Sequence, residues 1–230
     1  MTYGNGINPQ VGGVYNSDAT IAATLYQGDS LNIPGLVFYA PLSSLAAYAI
    51  TGQEISGSAD AYATVQGIPC ARFSSLAAYL SASDSALPHG NVPVTVSCWL
   101  NYSVIPSDFS GIFYYGNSQS FGQSIAFPDW NSVLFSGANG VNALTDVTPS
   151  TGTWYHFLSI YDGNGTITNY VNGVVSGQPW SSTLNIGTGN IQIAPTEVSR
   201  DIYMASARIY NRALTAAEVA ALAAEFTPTT

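Results

Sequence analysis

The 230 residues include four arginines, no lysine and thirteen acids, for a formal net charge of -9. Neutralising phosphates takes clustered Lys and Arg, so this balance argues against nucleic acid as a partner and equally against an anionic membrane surface. A chain of this length buries roughly 70% of its unfolded surface, so neither metal nor disulfide is needed to make a core.

Residues 1–34 are rich in Gly, Asn and Thr, lack sustained alternation and end at Pro34-Gly35. They read as an N-terminal arm that anchors the chain in an assembly or contacts a neighbouring subunit, so a homo-oligomer is expected; residues 35–230 form the domain proper. The opening MTYGNGINPQVGG has no basic stretch and no apolar run, so no secretory signal is read there, and no run of 18 apolar residues suggests membrane insertion.

From Leu36 onward short apolar runs alternate with turn clusters: GLVFYAPL, PCARFSS, VPVTVSCWLNYS, GIFYYGN, FGQSIAFPD, NSVLFSG, TWYHFLSIY, TITNYVNGVV, NIQIAP and IYMASARIY. Short strands with frequent turn signals indicate an all-β antiparallel sandwich or barrel. The hexamer SSLAAY occurs at 43–48 and 74–79, too few copies for a solenoid. Cys98 is in phase with Val94, Val96 and Leu100 and points inward. With Cys70 it forms either a pair of buried thiols or a single bridge.

Within 151–175 the alternation has period two: WYHFLSIY, a DGNG turn, TITNYVNG, then a second turn at Asn172-Gly173, together a three-stranded meander. Asp162 and Asn164 mimic the start of a calcium loop, but the sixth position is Ile167 and the twelfth Gly173, so a hairpin turn is the reading. The last element is a helix. Thr215 and Glu218 have capping-box spacing, Val219, Leu222 and Phe226 recur on one face, and Pro228 stops it.

Three stretches carry a family resemblance. GTWYHFLSIYDGNGTITNYVNGVVSGQ, ARIYNRALTAAEVAAL and VTVSCWLNY resemble, in the family's order, motifs of laminin-G-like (concanavalin A-like lectin/glucanase) domains, over about residues 36–226. The resemblance implies a two-sheet antiparallel jelly roll with one concave sheet and a rim of loops. It also implies binding of glycans or protein surfaces, often with calcium, and β-glucan hydrolysis in some relatives. Two departures count against a calcium site of the family type, so no cofactor is expected and calcium is the one left open. Ala205-Ser206-Ala207 stands where acids are usual, and ITGQEISGSAD retains only Glu54 and Asp60 in an acidic loop.

Hydrolysing relatives present two glutamates in an E-x-D-x-x-E pattern, because the chemistry needs two carboxyls about 5–9 Å apart. Glu54, Glu197, Glu218 and Glu225 offer no such pair. His89 and His156 lack a nucleophile elbow, and with two cysteines they make no zinc site, so no catalytic or metal-binding residue is assigned. His156 reads as structural, and Arg208 and Arg212 as partners of carboxylates or carbonyls at the strand-to-helix corner. Aromatics and amides at loops or strand ends remain for recognition: Tyr114, Tyr115, Asn117, Trp130 and Trp180. Alternation turns one of Tyr114 and Tyr115 inward and the other outward.

The expected protein is a non-catalytic recognition module that binds glycan or a host surface. The polar, lysine-free composition and missing signal point to a phage virion, as decoration, fibre or other structural protein held by its arm. A secreted bacterial carbohydrate-binding or adhesion module is the alternative, and a glycoside hydrolase comes last.

Overall fold

A computed structural model describes residues 31–43, 55–107, 109–117, 121–125, 134–138, 141–195 and 200–229. Its strands, in chain order, begin with β1 (Leu36–Ala40), β2 (Ser56–Ser58), β3 (Ala61–Val65), β4 (Ile68–Phe73) and β5 (Tyr79–Ser83). Then come β6 (Val94–Val104), β7 (Ser110–Gly116), β8 (Phe121–Ile125), β9 (Leu134–Ala138), β10 (Val141–Leu144) and β11 (Trp154–Tyr161). β12 (Thr166–Val171), β13 (Val174–Val175), β14 (Trp180–Ser181), β15 (Asn190–Ile193) and β16 (Asp201–Tyr210) complete the sheets, and helix α1 spans Ala216–Ala223. No helix among the described residues is long and apolar enough to cross a membrane.

Two antiparallel sheets form the sandwich. One has seven strands in the order β10-β9-β8-β7-β15-β5-β2. The other has nine: the path β13-β12-β11-β6-β16-β4-β3, with β1 also pairing β16 and β14 also pairing β12. Between them lies one apolar core. Val94, Val96, Cys98 and Leu100 of β6 meet Phe113, Tyr115, Phe121 and Leu134 from the other sheet. This is the expected period-two burial, since alternate side chains of a strand leave on opposite faces.

The nine-stranded sheet is also covered on its outer face. Val219 and Leu222 of α1 pack on Leu158, Ile160, Tyr210 and Tyr39, joined by Ile33 and Leu36 at the domain's entry. The helix starts as its sequence requires: the Thr215 side chain accepts from the Glu218 N–H, and the Glu218 carboxylate accepts from the Thr215 N–H. It ends before Phe226, which packs edge-on against Trp99, ring centroids 5.6 Å apart. Trp99 and Trp154 therefore belong to a satellite cluster with Ile68, Cys70 and Ala205, outside the layer between the sheets.

A bulge decides which way β16 presents its second half. Ala205 pairs with Trp99 and Arg208 with Ser97, so one residue is extra, and Ser206 adopts φ 50°. Before the bulge Tyr203 and Ala205 face outward; after it Arg208 and Tyr210 do, while Ala207 and Ile209 enter the core. Arg208 is thereby delivered beneath the helix. Its guanidinium meets Glu225 through two bonds, 2.6 and 2.7 Å, and lies 4.5 Å over the Tyr39 ring.

Both cysteines are buried free thiols. Cys98 faces the core and Cys70 the satellite cluster, so β4 and β6 hold them on opposite faces of one sheet and a bridge is geometrically closed off. Burial pushes the Cys70 thiol up to about 11, which keeps it protonated and inert.

Candidate ligand-binding face

Among the described residues no helix lies over the outer face of the seven-stranded sheet. Five of its residues in β5, β7 and β15 are fixed by alternation: Leu80 and Ala82 go inward, so Tyr79, Ser81 and Ser83 go outward, and Ile191 and Ile193 inward place Gln192 outward. In β7, Phe113 and Tyr115 enter the core, leaving Tyr114 outward. Cross-strand register then runs in one row from edge to edge: Asn142, Gly137, Gly122, Tyr114, Gln192, Ser81, Ser56.

Tyr114 therefore stands between two glycines on one side and an amide and hydroxyls on the other. The glycines leave bare backbone for two strand spacings, roughly 10 Å. Gly122 is also a steric requirement, because a Cβ there would collide with the Tyr114 Cα and Cβ and the Phe113 carbonyl. Gly111 plays the same part further along β7: a Cβ at 111 would lie 2.9 Å from the Tyr114 ring and 2.5 Å from Pro195. The half-buried Tyr114 ring thus lies along its strand beside Gly111, which Pro195 also borders.

Tyr79, 38% exposed, is the second outward tyrosine. It lies two strands and two residues from Tyr114, about 12 Å by strand geometry. A buried arginine ties the supports of both rings together. Arg200 donates to the carbonyls of Pro195 (2.6 Å), Ala78 (3.2 Å) and Ala194. Pro195 and Tyr114 both border Gly111, and Ala78 immediately precedes Tyr79. Phe135 is outward on β9 but roofed by Phe109, ring centroids 5.8 Å apart. Among the described strand residues facing outward on this sheet, none is charged.

The sequence-derived candidates do not form one constellation. Tyr114 is at the centre of the face. Tyr115 is corrected: its ring is in the core and its hydroxyl donates 2.8 Å to the Pro88 carbonyl, so it is closed to a ligand. Asn117, exposed, follows β7 and lies against Gly187, whose missing side chain makes room for it. Trp180, 45% exposed, pairs with Ile167 at the edge of the nine-stranded sheet, away from Tyr114. Trp130 lies outside the described residues, in the connection between β8 and β9. Tyr79, Ser81 and Gln192 were missed; the alternation of YLSAS was the available signal for the first two.

The acids hold loops and strands together. Partial burial raises the Asp60 carboxyl, but four hydrogen bonds from the N–H and hydroxyl groups of Ser74 and Ser75 prevail and hold it at about 2. Those serines begin the second SSLAAY copy; the first falls almost wholly outside the described residues. Buried Asp84 accepts from the Gly189 N–H at 2.9 Å, with His89 at 3.3 Å. Asp162 closes its hairpin by accepting from the N–H groups of Asn164 and Thr166. Asp146 accepts from the Gly177 N–H, and Asp201 takes both prongs of Arg72. Among the described residues no three His, Cys, Asp or Glu converge as a metal site. Asp60 is saturated by its serines, and Ala205 and Ala207 are buried where acids were expected, so these residues do not fit a family-type calcium site.

His156 is wholly buried, its Nε2 2.8 Å from the Ser97 hydroxyl. Burial, and then the nearby Arg208 charge, bring it down to about 3, so it is neutral at physiological pH. With no carboxylate bonded to it, this is a structural histidine.

A family model described as the concanavalin A-like lectin/glucanases superfamily matches residues 74–220. No curated protein matches the sequence. Solved structures do. Domain 4 of an extracellular arabinanase from Geobacillus stearothermophilus, in complex with arabinotriose, is similar at TM-score 0.60 and 21% identity, over 82% of this chain and 98% of that one. The binding domain of Paraclostridial mosquitocidal protein 1 is similar at TM-score 0.64 and 13% identity, over 82% of this chain and 52% of that one. The ligand-binding domain of botulinum neurotoxin serotype D, in complex with N-acetylneuraminic acid, is similar at TM-score 0.60 and 14% identity, over 83% and 50%. The chain thus spans about half the length of the two toxin domains. At these identities the likeness is one of fold, and function has to be argued from the site.

Proposed function

The chain belongs to the concanavalin A-like lectin/glucanases superfamily, and from that premise we propose that it is a non-catalytic recognition module that binds glycan on the outer face of its seven-stranded sheet. The observation that carries this reading is the row through Tyr114. An aromatic ring there adjoins a floor of glycine backbone and is flanked by Gln192, Ser81 and Ser56. A sugar ring offers a C–H face to stack on an aromatic and a rim of hydroxyls to bond amides and hydroxyls; a sheet surface carrying both serves that chemistry. Asn117 borders the face at the end of β7.

Absence of catalysis is part of the proposal. Glycoside hydrolysis needs two carboxyls flanking the bond. Each described acid has a structural partner, and none stands on this face.

The decisive experiment compares wild type with Tyr114→Ala on a glycan array, followed by calorimetry on the best binder. Tyr114→Ala is expected to weaken binding at least tenfold, as an aromatic anchor does, with no new reducing ends from either protein. Retained affinity in Tyr114→Ala places the ligand elsewhere, with Trp180→Ala and Trp130→Ala as the next variants to compare.

The finer reading, a surface-displayed phage virion component or a secreted adhesion module, has one supporting observation. The chain enters the domain at Leu31–Leu36 beside α1, where Ile33 and Leu36 are buried and the Pro34 carbonyl accepts from Arg212 at 2.8 Å. The described chain therefore begins on the side of the covered, nine-stranded sheet. Deleting residues 1–30 should abolish self-association or incorporation into a particle while glycan binding persists. If the full chain and the truncation are equally monomeric and equally excluded from particles, the anchoring role falls.

A further inference from the structure

We infer that the ligand of this face is a neutral glycan and that acidic sugars are discriminated against. The inference rests on the reading of the face as a glycan site and adds the chemical class it takes. A carboxylate or sulfate on a sugar is bound most strongly by a cationic donor, above all an arginine fork. The chain contains four arginines and no lysine, and each guanidinium is committed within the fold. Arg72 forms two bonds to Asp201, 2.7 and 2.9 Å. Arg208, fully buried, is bound by Glu225. Arg212 is bidentate on Glu218 and also donates to the Pro34 carbonyl.

Arg200 is the instructive one, because it lies nearest the face. It is 3% exposed and points inward, donating to the carbonyls that carry the supports of Tyr79 and Tyr114. It shapes the platform from below and offers no charge above it. Neither histidine substitutes: His156 is buried beneath the other sheet's cover, and His89 leans on the buried Asp84 carboxylate at 3.3 Å. Around a face of Tyr, Ser, Gln and Gly stands a molecule of net charge -9, whose long-range field repels an anionic ligand before contact. The cationic donor that would favour a sialylated or uronic ligand is missing and the long-range field is reversed in sign, whereas stacking and neutral hydrogen bonding are intact.

The test uses the full chain and matched probes: arabinotriose and lactose as neutral members, 3′-sialyllactose and trigalacturonate as acidic ones, with EDTA and with calcium. The expected result is binding confined to neutral members and nearly unchanged between 50 and 500 mM salt, the acidic partner being at least tenfold weaker, and this with or without calcium. Gln192→Arg, which adds a guanidinium beside Tyr114, should raise affinity for the acidic probes at least tenfold and make it salt-sensitive. Acidic probes bound as well as or better than neutral ones by wild type, with or without calcium, overturn the charge inference while leaving the glycan face standing. The same holds if Gln192→Arg leaves acidic binding unchanged while Tyr114→Ala abolishes neutral binding. No binding by any neutral or acidic glycan across a full array overturns both.

Discussion

The two sheets bury equivalent inner faces and treat their outer faces in opposite ways. Over the nine-stranded sheet the chain lays α1 and the segment after it, which carries Glu225, and beneath them it places Arg208, His156, Ser97 and Trp99, groups that become costly if left unpaired. Over the seven-stranded sheet the described residues lay no such cover, and those facing outward include Tyr, Ser, Gln, Gly and Leu144 with no charge among them. A covered face can hold ions only if they are neutralised internally. A face left to solvent can stay uncharged and keep its hydrogen-bonding capacity for a ligand. One face therefore carries fold specificity, and the other is available for recognition.

The sharpest way to break this contrast is to cut the ion pair on the covered face. Arg208→Met leaves Glu225 buried without its partner and should cost about 3–5 kcal/mol of stability in urea denaturation, with Arg208→Met/Glu225→Met recovering much of it. Glycan binding by whatever remains folded should be unchanged.

Acid is the next probe, and again it reads the covered face. His156 is lowered from its ordinary 6.5 to about 3 in the fold, so between those values the unfolded chain holds a proton that the native chain refuses. Its contribution to stability is complete above pH 6.5 and is lost progressively as pH falls toward 3, at up to about 1.4 kcal/mol per pH unit. His156→Gln should flatten that slope in denaturation curves recorded from pH 7 to 4. An unchanged slope would mean that the imidazole accepts its proton without opening the cover.

The open face responds to a smaller change. Gly122→Ala puts a methyl group into the backbone and Cβ of Tyr114 and should destabilise by about 1–3 kcal/mol. It should weaken glycan binding by more than that loss of folded protein explains, because Tyr114 must move. Equal affinity per folded molecule would show that the ring's placement is irrelevant to the ligand.

Much of the covered face was legible in residue order. The Thr215–Glu218 box, the Val219 and Leu222 positions and the Asp162 turn all rest on contacts within four residues, where spacing alone specifies geometry. Arg208 and Arg212 were expected to pair with carboxylates or carbonyls at the strand-to-helix corner; Arg212 does so with Glu218, whereas Arg208 reaches Glu225 beyond the far end of α1. The open face was far less legible. Tyr114 was singled out with its neighbour Tyr115, and alternation alone could not say which faced outward until the core claimed Tyr115. β5 escaped notice because YLSAS has no β-branched residue and only two inward side chains, Leu80 and Ala82, so its local preference for a strand is weak. With it went Tyr79 and Ser81.

By itself the sequence determined a lysine-free, all-β sandwich or barrel closed by a capped helix, since period-two patterning, turn residues and cap spacing act over neighbouring positions, while the concanavalin A-like type came from the resemblance of three motifs. Tertiary structure alone decided which sheet the helix covers. It also decided that the bulge at Ser206 turns Arg208 beneath that helix, and that residues as distant as Ser56, Gln192 and Gly137 line up on either side of Tyr114. Those outcomes depend on strand register across gaps of many residues, and register is set by which side chains the common core accepts, a property of all the strands together.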